Sequence, residues 1–411
     1  MRKRRGAIAV LAVAVGCSSG GGGGSIDLAP PMFILNAAGT FDVDFPGFDG
    51  ARLRGVDPRF RVDGVWHAAS DYPPPTESRV GDRFEWDFSG PGLPEWTYRV
   101  RVAPGGAWAD VDLEVRAPAG VVDGFEPIAT NEAWVRGLGD EVYFLHDGYN
   151  IFSFSGVVRV TAADRARRAP GTDDVVLAGN NFDVFTEQLA QGWWWGSIAA
   201  PQGEATILAG ALTTDLWKTA VVGEPSVPAR AGLRVVQGTN GDRWDLARGP
   251  VASERVFLGA GGDYAALYQR YGEALAVSKP GLAWTGEAPR LWSSWHQSFD
   301  RVTAEDVLRN ADALAADPVY DPIRYVQLDD GWMEAWGDWT ANEKFPDGMA
   351  ALADQVRARG RIPGIWVAPT LVDSDSRLAA DHPEWLLRDA AGSLVECVTC
   401  SLGAIGRQVF T

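Results

Sequence analysis

Residues 325–339 read YVQLDDGWMEAWGDW. With Ile323 and Arg324 ahead of it, the apolar run IRYVQL has the length of a buried strand, and it stops at two adjacent aspartates and a glycine. Helical patterns lie on either side. Upstream, Thr303-Ala304-Glu305-Asp306 opens a helix, with Thr303 as N-cap and acids in the first turn, and Val307, Ala311, Leu314 and Ala315 follow at helical spacing. Downstream, Asp347 caps a second helix carrying Met349, Leu352, Ala353 and Val356, which Gly360 ends. Two more strand candidates flank these helices, LWSSWHQ (291–297) and IPGIWVA (362–368). Strand starts roughly 30 to 40 residues apart, separated by helices, are the rhythm of a parallel (β/α) barrel or a doubly wound sheet.

A (β/α)8 barrel needs about 250 residues. After residue 286 only 411 − 286 = 125 remain. The expectation is therefore the first part of a TIM barrel, truncated after about three strands, in a chain that is a fragment ending at Thr411. A small three-stranded domain is the alternative, but it would leave buried-type parallel strands at open edges.

From residue 26 to residue 286 the period is two. RFRVDGVWHAA (59–69), RFEWDF (83–88), WTYRVRVA (96–103), WADVDLEVRA (108–117), VYFLHDGYNIFSFSG (142–156), EATILAGALT (204–213), GLRVVQG (232–238) and ERVFLGAG (254–261) alternate apolar with polar between turn residues. Many short strands of this kind predict an antiparallel β-sandwich. Residues 263–277 read as a helix after it. Gly192-Trp193-Trp194-Trp195-Gly196 is expected within one strand, where alternation sends Trp194 to the face opposite its neighbours. At least one indole then needs cover from another domain or a subunit, so a homo-oligomer is among the expected partners.

Residues 1–25 read as a targeting segment. Arg2 to Arg5 form a positive stretch, and Gly6 to Gly16 is an apolar run of eleven, too short to span a bilayer. Ala14-Val15-Gly16-Cys17 is similar to a bacterial lipobox, with Cys17 the residue to be lipidated, and SSGGGGGS (18–25) is a flexible tether. The expected location is the bacterial cell envelope, reached by export and held by a lipid anchor. Cys397 and Cys400 suit a small disulfide loop. A formal net charge of −17 argues against nucleic acid and anionic membrane surfaces as partners, because phosphates are held by clustered Lys and Arg. Eighteen Trp in an exported chain favour sugar binding, since indoles pack on the C–H faces of pyranose rings.

In parallel α/β folds the site lies at the carboxyl ends of the strands. Asp329 and Asp330 follow the second strand directly, and at Gly331 both can turn toward one mouth. Trp295 and His296 end the first strand, Ala368-Pro369-Thr370 the third, and Trp332, Trp336 and Trp339 occupy the loop after the second. Carboxylates beside indoles suit a polyol. The aspartates could be the acid/base pair of a glycosidase, a thin divalent-cation site, or a clamp for sugar hydroxyls. Spacing alone leaves these three open. His382, in HPEW, reads as a structural contact.

Six stretches in order carry a resemblance: SWHQSF (294–299), VQLDDGW (326–332), GDW (337–339), KFPDGMAALADQV (344–356), GRIPGIWVAP (360–369) and HPEWLL (382–387). Together they resemble the family-36 glycoside hydrolases, the melibiase α-galactosidases. HDGYNIFSFSG (146–156) is similar to a stretch of that family's N-terminal sandwich. The resemblance implies an antiparallel β-supersandwich (26–286) followed by a (β/α)8 catalytic barrel beginning in residues 287–411. It implies a retaining α-galactosidase acting on α-galactoside oligosaccharides without a cofactor or metal. It implies that Asp329 and Asp330 bind the galactose 4- and 6-hydroxyls and that Trp339 and Trp295 shape the pocket. The family's nucleophile and acid/base lie further along the barrel, so both are expected beyond Thr411 and no catalytic residue is expected within this chain. Related activities on N-acetylgalactosamine, galactosyl transfer, and a non-catalytic sugar-binding role are the alternatives.

Overall fold

The computed structural model describes residues 31–46, 48–103, 108–139, 141–147, 155–161, 191–200, 205–227, 230–238, 242–281, 284–389, 391–396 and 408–410. Cys17, Cys397, Cys400, Thr411 and most of HDGYNIFSFSG lie outside them. The chain divides into two compact units between residues 282 and 283.

Among the described residues the first unit is a β-sandwich of two ten-stranded sheets. Among the described residues every strand pairing in it is antiparallel. One sheet runs Met32–Leu35, Phe41–Asp44, Ala51–Val56, Val121–Val135, Arg230–Gln237, Thr219–Val227 and Gln191–Trp193. The other includes Glu141–His146, Trp195–Ala199, Thr206–Ala211, Val256–Gly261, Trp108–Arg116, Glu95–Val102 and Arg83–Phe88. Alternation works as expected in these strands. Ala109, Val111, Leu113 and Val115 enter the core, together with Phe41, Phe60, Trp96 and Phe125. Phe88 and Trp96 stack at 4.2 Å, a pairing that adds about 0.5–1.5 kcal/mol to their area burial. On the opposite face, Asp110, Asp112 and Glu114 meet Arg99, Arg101 and Arg255 in ion pairs, so the polar side of the sheet is also covered.

The GWWWG stretch departs from expectation. Trp194 is not a strand residue: its φ is +72°, and the chain leaves one sheet after Trp193 and enters the other at Trp195. The backbone N–H of Trp194 donates to Thr219 O (3.0 Å), and its carbonyl accepts from Ala211 N (2.7 Å). Trp193 is buried with Ala220 and Val222, and Trp194 packs on that cluster. Trp195 meets Tyr268 edge-to-face at 4.9 Å. Tyr268 belongs to the helix Tyr264–Ser278, capped by Asp263. The three indoles thus find partners inside the sandwich unit. The longest strand, Val121–Val135, has no alternation signal because it is buried on both faces for most of its length.

The second unit holds a three-stranded parallel sheet in chain order, Leu291–Ser293, Tyr325–Leu328 and Ile362–Ile365. The helices Ala304–Ala316 and Gly348–Ala358 connect them. This is the beginning of a (β/α)8 barrel. The Thr303 cap is a full capping box: Asp306 N donates to Thr303 Oγ1 (3.2 Å), and Thr303 N donates to Asp306 Oδ2 (3.1 Å). Val307, Ala311 and Leu314 are buried, but Ala315 is exposed, one position past the inward stripe. Asp347 stands at the N-cap of the second helix without a side-chain cap bond. The first strand stops at Ser293, and Trp295 and His296 sit in a short helical turn, Trp295–Ser298, not at a strand end. The third strand ends at Ile365. Its Ile362 and Trp366 N–H groups donate to the second strand, so the nitrogen of Pro363 faces the other way. The last described segment, Gln408–Phe410, pairs antiparallel with Leu371–Asp373 and does not form a fourth parallel strand. The described residues therefore hold three barrel strands. The expectation that the nucleophile and acid/base lie beyond Thr411 concerns residues outside them.

The crossing at Trp194 depends on Gly192. A Cβ there would lie 2.0 Å from Trp195 O, a backbone atom no rotamer change can move. Gly192→Ala should therefore lower the stability of the sandwich by about 3 kcal/mol. A calorimetric scan reads this as an earlier first transition; an unchanged transition would sink the account.

Candidate functional site

The site candidate forms where the second parallel strand ends. In Tyr325–Leu328, Val326 and Leu328 face the helices, and Gln327 lies on the opposite side. Asp329, two residues on, shares the side of Gln327. Its Oδ2 accepts from Gln327 Nε2 (2.8 Å) and Ser293 Oγ (3.2 Å), and its Oδ1 accepts from Asp330 N (2.9 Å). Its own N–H donates to Oγ of Ser294, which is fully buried (2.9 Å). Ser293 ends the first strand and Ser294 follows it, so the two strand ends are joined through serine hydroxyls.

Asp330 turns the other way and is 6% exposed. Its Oδ1 accepts from Gly331 N (2.7 Å) and from the Trp336 indole N–H (3.0 Å). Among the described residues, no donor is recorded for Oδ2. Burial pushes this carboxyl above the usual aspartate range. The two N–H bonds oppose that shift, and the charges of Asp329 and Asp300 add to it. The adjacent aspartates therefore occupy different surroundings: one is well hydrogen-bonded, the other desolvated.

The loop that follows is rigidly tied. Trp336 N donates to Asp373 Oδ2 (2.7 Å), and Asp373 N returns a bond to Trp336 O (2.9 Å). Trp332 and Trp336 are buried, Trp332 donating to Trp366 O (2.9 Å) and Trp336 packing on Trp366. These two indoles are core and support, not open sugar platforms. Trp339 is half-buried against Trp332, with ring centroids 6.1 Å apart. Trp295 is half-buried and meets Phe299 edge-to-face. His296 is exposed. Asp338 of the GDW stretch accepts from Arg377 N (2.8 Å) and Leu378 N (3.1 Å), which fixes the next helical turn. His382 stacks on Trp385 at 3.9 Å and contacts Glu384, a structural role.

The structure thus places Asp329 and Asp330 at one strand end, with Trp339 packed on Trp332 in the segment that follows and Trp295 in the turn after the neighbouring strand. Ser293, Ser294, Gln327 and Asp373 escaped the sequence reading. The adjacent serines closing LWSS were the available signal for the first two; nothing local marked Asp373.

A carboxyl whose native pKa is raised loses stability as pH rises from its unfolded pKa through its native one, because the unfolded chain releases its proton first. Asp330→Asn keeps an oxygen for both N–H donors and removes the ionisation. Its melting temperature should exceed that of the parent near neutral pH, and the difference should vanish below the ordinary aspartate pKa of 3.8. A difference independent of pH in scanning calorimetry would refute the buried-carboxylate account.

The Melibiase family profile matches residues 280–397. The probable α-galactosidase G of Aspergillus terreus is 31% identical over 153 residues, covering 33% of this chain and 20% of that protein. The solved structure of TtGalA, an α-galactosidase from Thermus thermophilus in complex with p-nitrophenyl α-D-galactopyranoside, is 24% identical, with a TM-score of 0.51 over 82% of this chain and 57% of that one. The GH36 α-galactosidase AgaA from Geobacillus stearothermophilus is 15% identical, with a TM-score of 0.53 over 86% of this chain and 50% of that one. The chain therefore spans a fifth of the fungal relative and about half of these solved structures. The sandwich and the parallel strands follow the fold of these solved enzymes, and residues 280–397 are similar to the melibiase family.

Proposed function

We propose that this chain supplies the sugar-holding part of a retaining α-galactosidase, one that releases terminal α-linked galactose from oligosaccharides. The observation that carries the reading is Asp330, a carboxylate kept ionisable in a buried position at the carboxyl end of a parallel strand. Its Oδ1 is fixed by Trp336 and Gly331. A sugar hydroxyl is the natural donor for Oδ2. Asp329 already accepts three hydrogen bonds and has room for one more, since a carboxylate offers about four acceptor sites. Held this way, both aspartates act as acceptors. Trp339 and Trp295 would form walls of the pocket. The galactoside bound by the Thermus enzyme and the names of the curated relatives support galactose as the sugar.

Retaining hydrolysis proceeds by double displacement. One carboxylate attacks the anomeric carbon, while a second protonates the leaving oxygen and then activates water. We assign these two roles to carboxylates outside the three parallel strands described here. Positive charge develops on the ring in the transition state, so anionic acceptors on its hydroxyls bind that state better than the ground state. Asp330→Ala in the complete enzyme should cut turnover of a chromogenic α-galactoside by at least about a hundredfold, with the fold retained. Near-normal turnover would eliminate the clamp. Faster cleavage of an α-N-acetylgalactosaminide, or galactosyl transfer in place of hydrolysis, would reassign the activity within the family. Sugar binding without any turnover would make the protein a non-catalytic binder.

We also infer export and lipid anchoring at Cys17, on the strength of the basic and apolar stretches before it and the Gly/Ser tether after it. Expressed in a bacterium, the chain should incorporate labelled palmitate, and Cys17→Ser should abolish the label. Labelling that survives the substitution would reject the assignment.

A further inference from the structure

The sandwich unit contains a cleft that the proposed function does not use. It opens where the strand Val121–Val135 changes neighbours. Residues 122–126 of that strand pair with Arg59–Val62, and residues 132–135 pair with Ala51–Val56. Register shifts against Arg230–Gln237 flank the gap, between Phe125 and Ile128 and between Thr130 and Ala133. The resulting space is about 370 Å³, with Asp57, Arg59, Thr130, Asn131 and Arg234 among the residues lining it. That is enough for a small ligand.

The polar groups around this cleft are held in place before anything binds. Glu126 is fully buried and takes two guanidinium groups. Arg59 Nε donates to its Oε2 (2.8 Å), and Arg234 Nη2 donates to its Oε1 (2.5 Å). Arg59 also lies over the Trp66 ring at 4.9 Å. Asp57 accepts from Ser70 N (3.0 Å) and Ser70 Oγ (2.7 Å), which fixes a carboxylate at the same cleft. Thr130 Oγ1 donates to Arg54 O (2.5 Å) and accepts from Glu132 N (2.9 Å), so the backbone carrying Asn131 is pinned on both sides. Asn131 itself is exposed, and no partner for its amide is recorded among the described residues.

A buried carboxylate beneath two guanidiniums is no better for stability than apolar packing of the same volume. What it does provide is two planar donors at fixed positions. The formal charge of the set is zero, two arginines against Glu126 and Asp57. An anion would meet the Asp57 carboxylate, and a cation both arginines. A neutral polyol suits the mixture, because each of its hydroxyls can donate to a carboxylate and accept from a guanidinium or an amide.

We propose that this cleft is a second, non-catalytic saccharide site, which takes a neutral sugar ring through Arg59, Arg234 and Asn131 as donors and Asp57 as acceptor. The choice of a sugar among neutral polyols rests on the function proposed above.

The test uses the 411-residue chain and amide and arginine side-chain NMR, with galactose, stachyose and sodium sulfate as separate probes. Galactose or stachyose should give saturable shifts at the Thr130 and Asn131 amides and at Arg59 Nε–H, with a Kd on the order of millimolar. Asn131→Ala should weaken that binding at least about fivefold, roughly 1 kcal/mol, without moving the melting temperature. Asp330→Asn should leave these shifts as they are, so a failure of the clamp at Asp330 and a failure of this cleft register at different residues. Absence of saturable shifts with both sugars overturns the proposal. So does saturation by sulfate alone, which would make the cleft an anion site, or an Asn131→Ala variant that binds as tightly as the parent.

Discussion

A backbone crossing at Gly331 sets the geometry of the candidate site. A Cβ on residue 331 would fall 2.4 Å from the carbonyl oxygen of Asp300, and φ there is +101°, so only glycine fits. The segment after the first strand thus passes directly over the turn after the second. Lys344 Nζ donates to that same Asp300 carbonyl, and Asn342 Nδ2 donates to Gly331 O (2.9 Å). Three loop segments meet at one peptide. Where Asp329 and Asp330 can point follows from that meeting, as does the path that carries Trp332 and Trp336 into the core.

The aspartates illustrate how one dipeptide produces two chemical environments. Strand parity gives Asp329 to the face shared with Gln327 and Ser293, where hydrogen bonds are plentiful. It gives Asp330 to the buried side, where an indole N–H and one backbone amide are its donors. Burying a carboxylate costs stability, and no cation forms a salt bridge with Asp330 among the described residues. Folding alone does not account for an acid at this position, whereas a sugar hydroxyl donating to its second oxygen would.

Local signals were the legible ones. The Thr303 cap, the buried stripe of Val307, Ala311 and Leu314, and the alternation of Trp108–Arg116 depend on residues a few positions apart, and each is present as read. The misreadings share a physical cause. Alternation through GWWWG assumes a continuous strand, but Trp194 takes a left-handed conformation and passes the chain between sheets. Val121–Val135 contains Pro127 and charged residues and is buried on both sides, so no period of two could mark it. At the site, the aspartates were visible because they are adjacent. The groups that orient them, Ser294 and Asp373, come from other strand ends, and a linear sequence does not show that pairing.

The direction in which the Pro363 nitrogen points has a consequence for folding hygiene. Among the described residues no strand pairs with the other edge of the third parallel strand, and Ile362, Ile365 and Val367 beside it are exposed. On that side Pro363 offers no N–H, so an incoming foreign strand meets an interrupted ladder. One imino acid thus makes that edge of the sheet a poor template for aggregation.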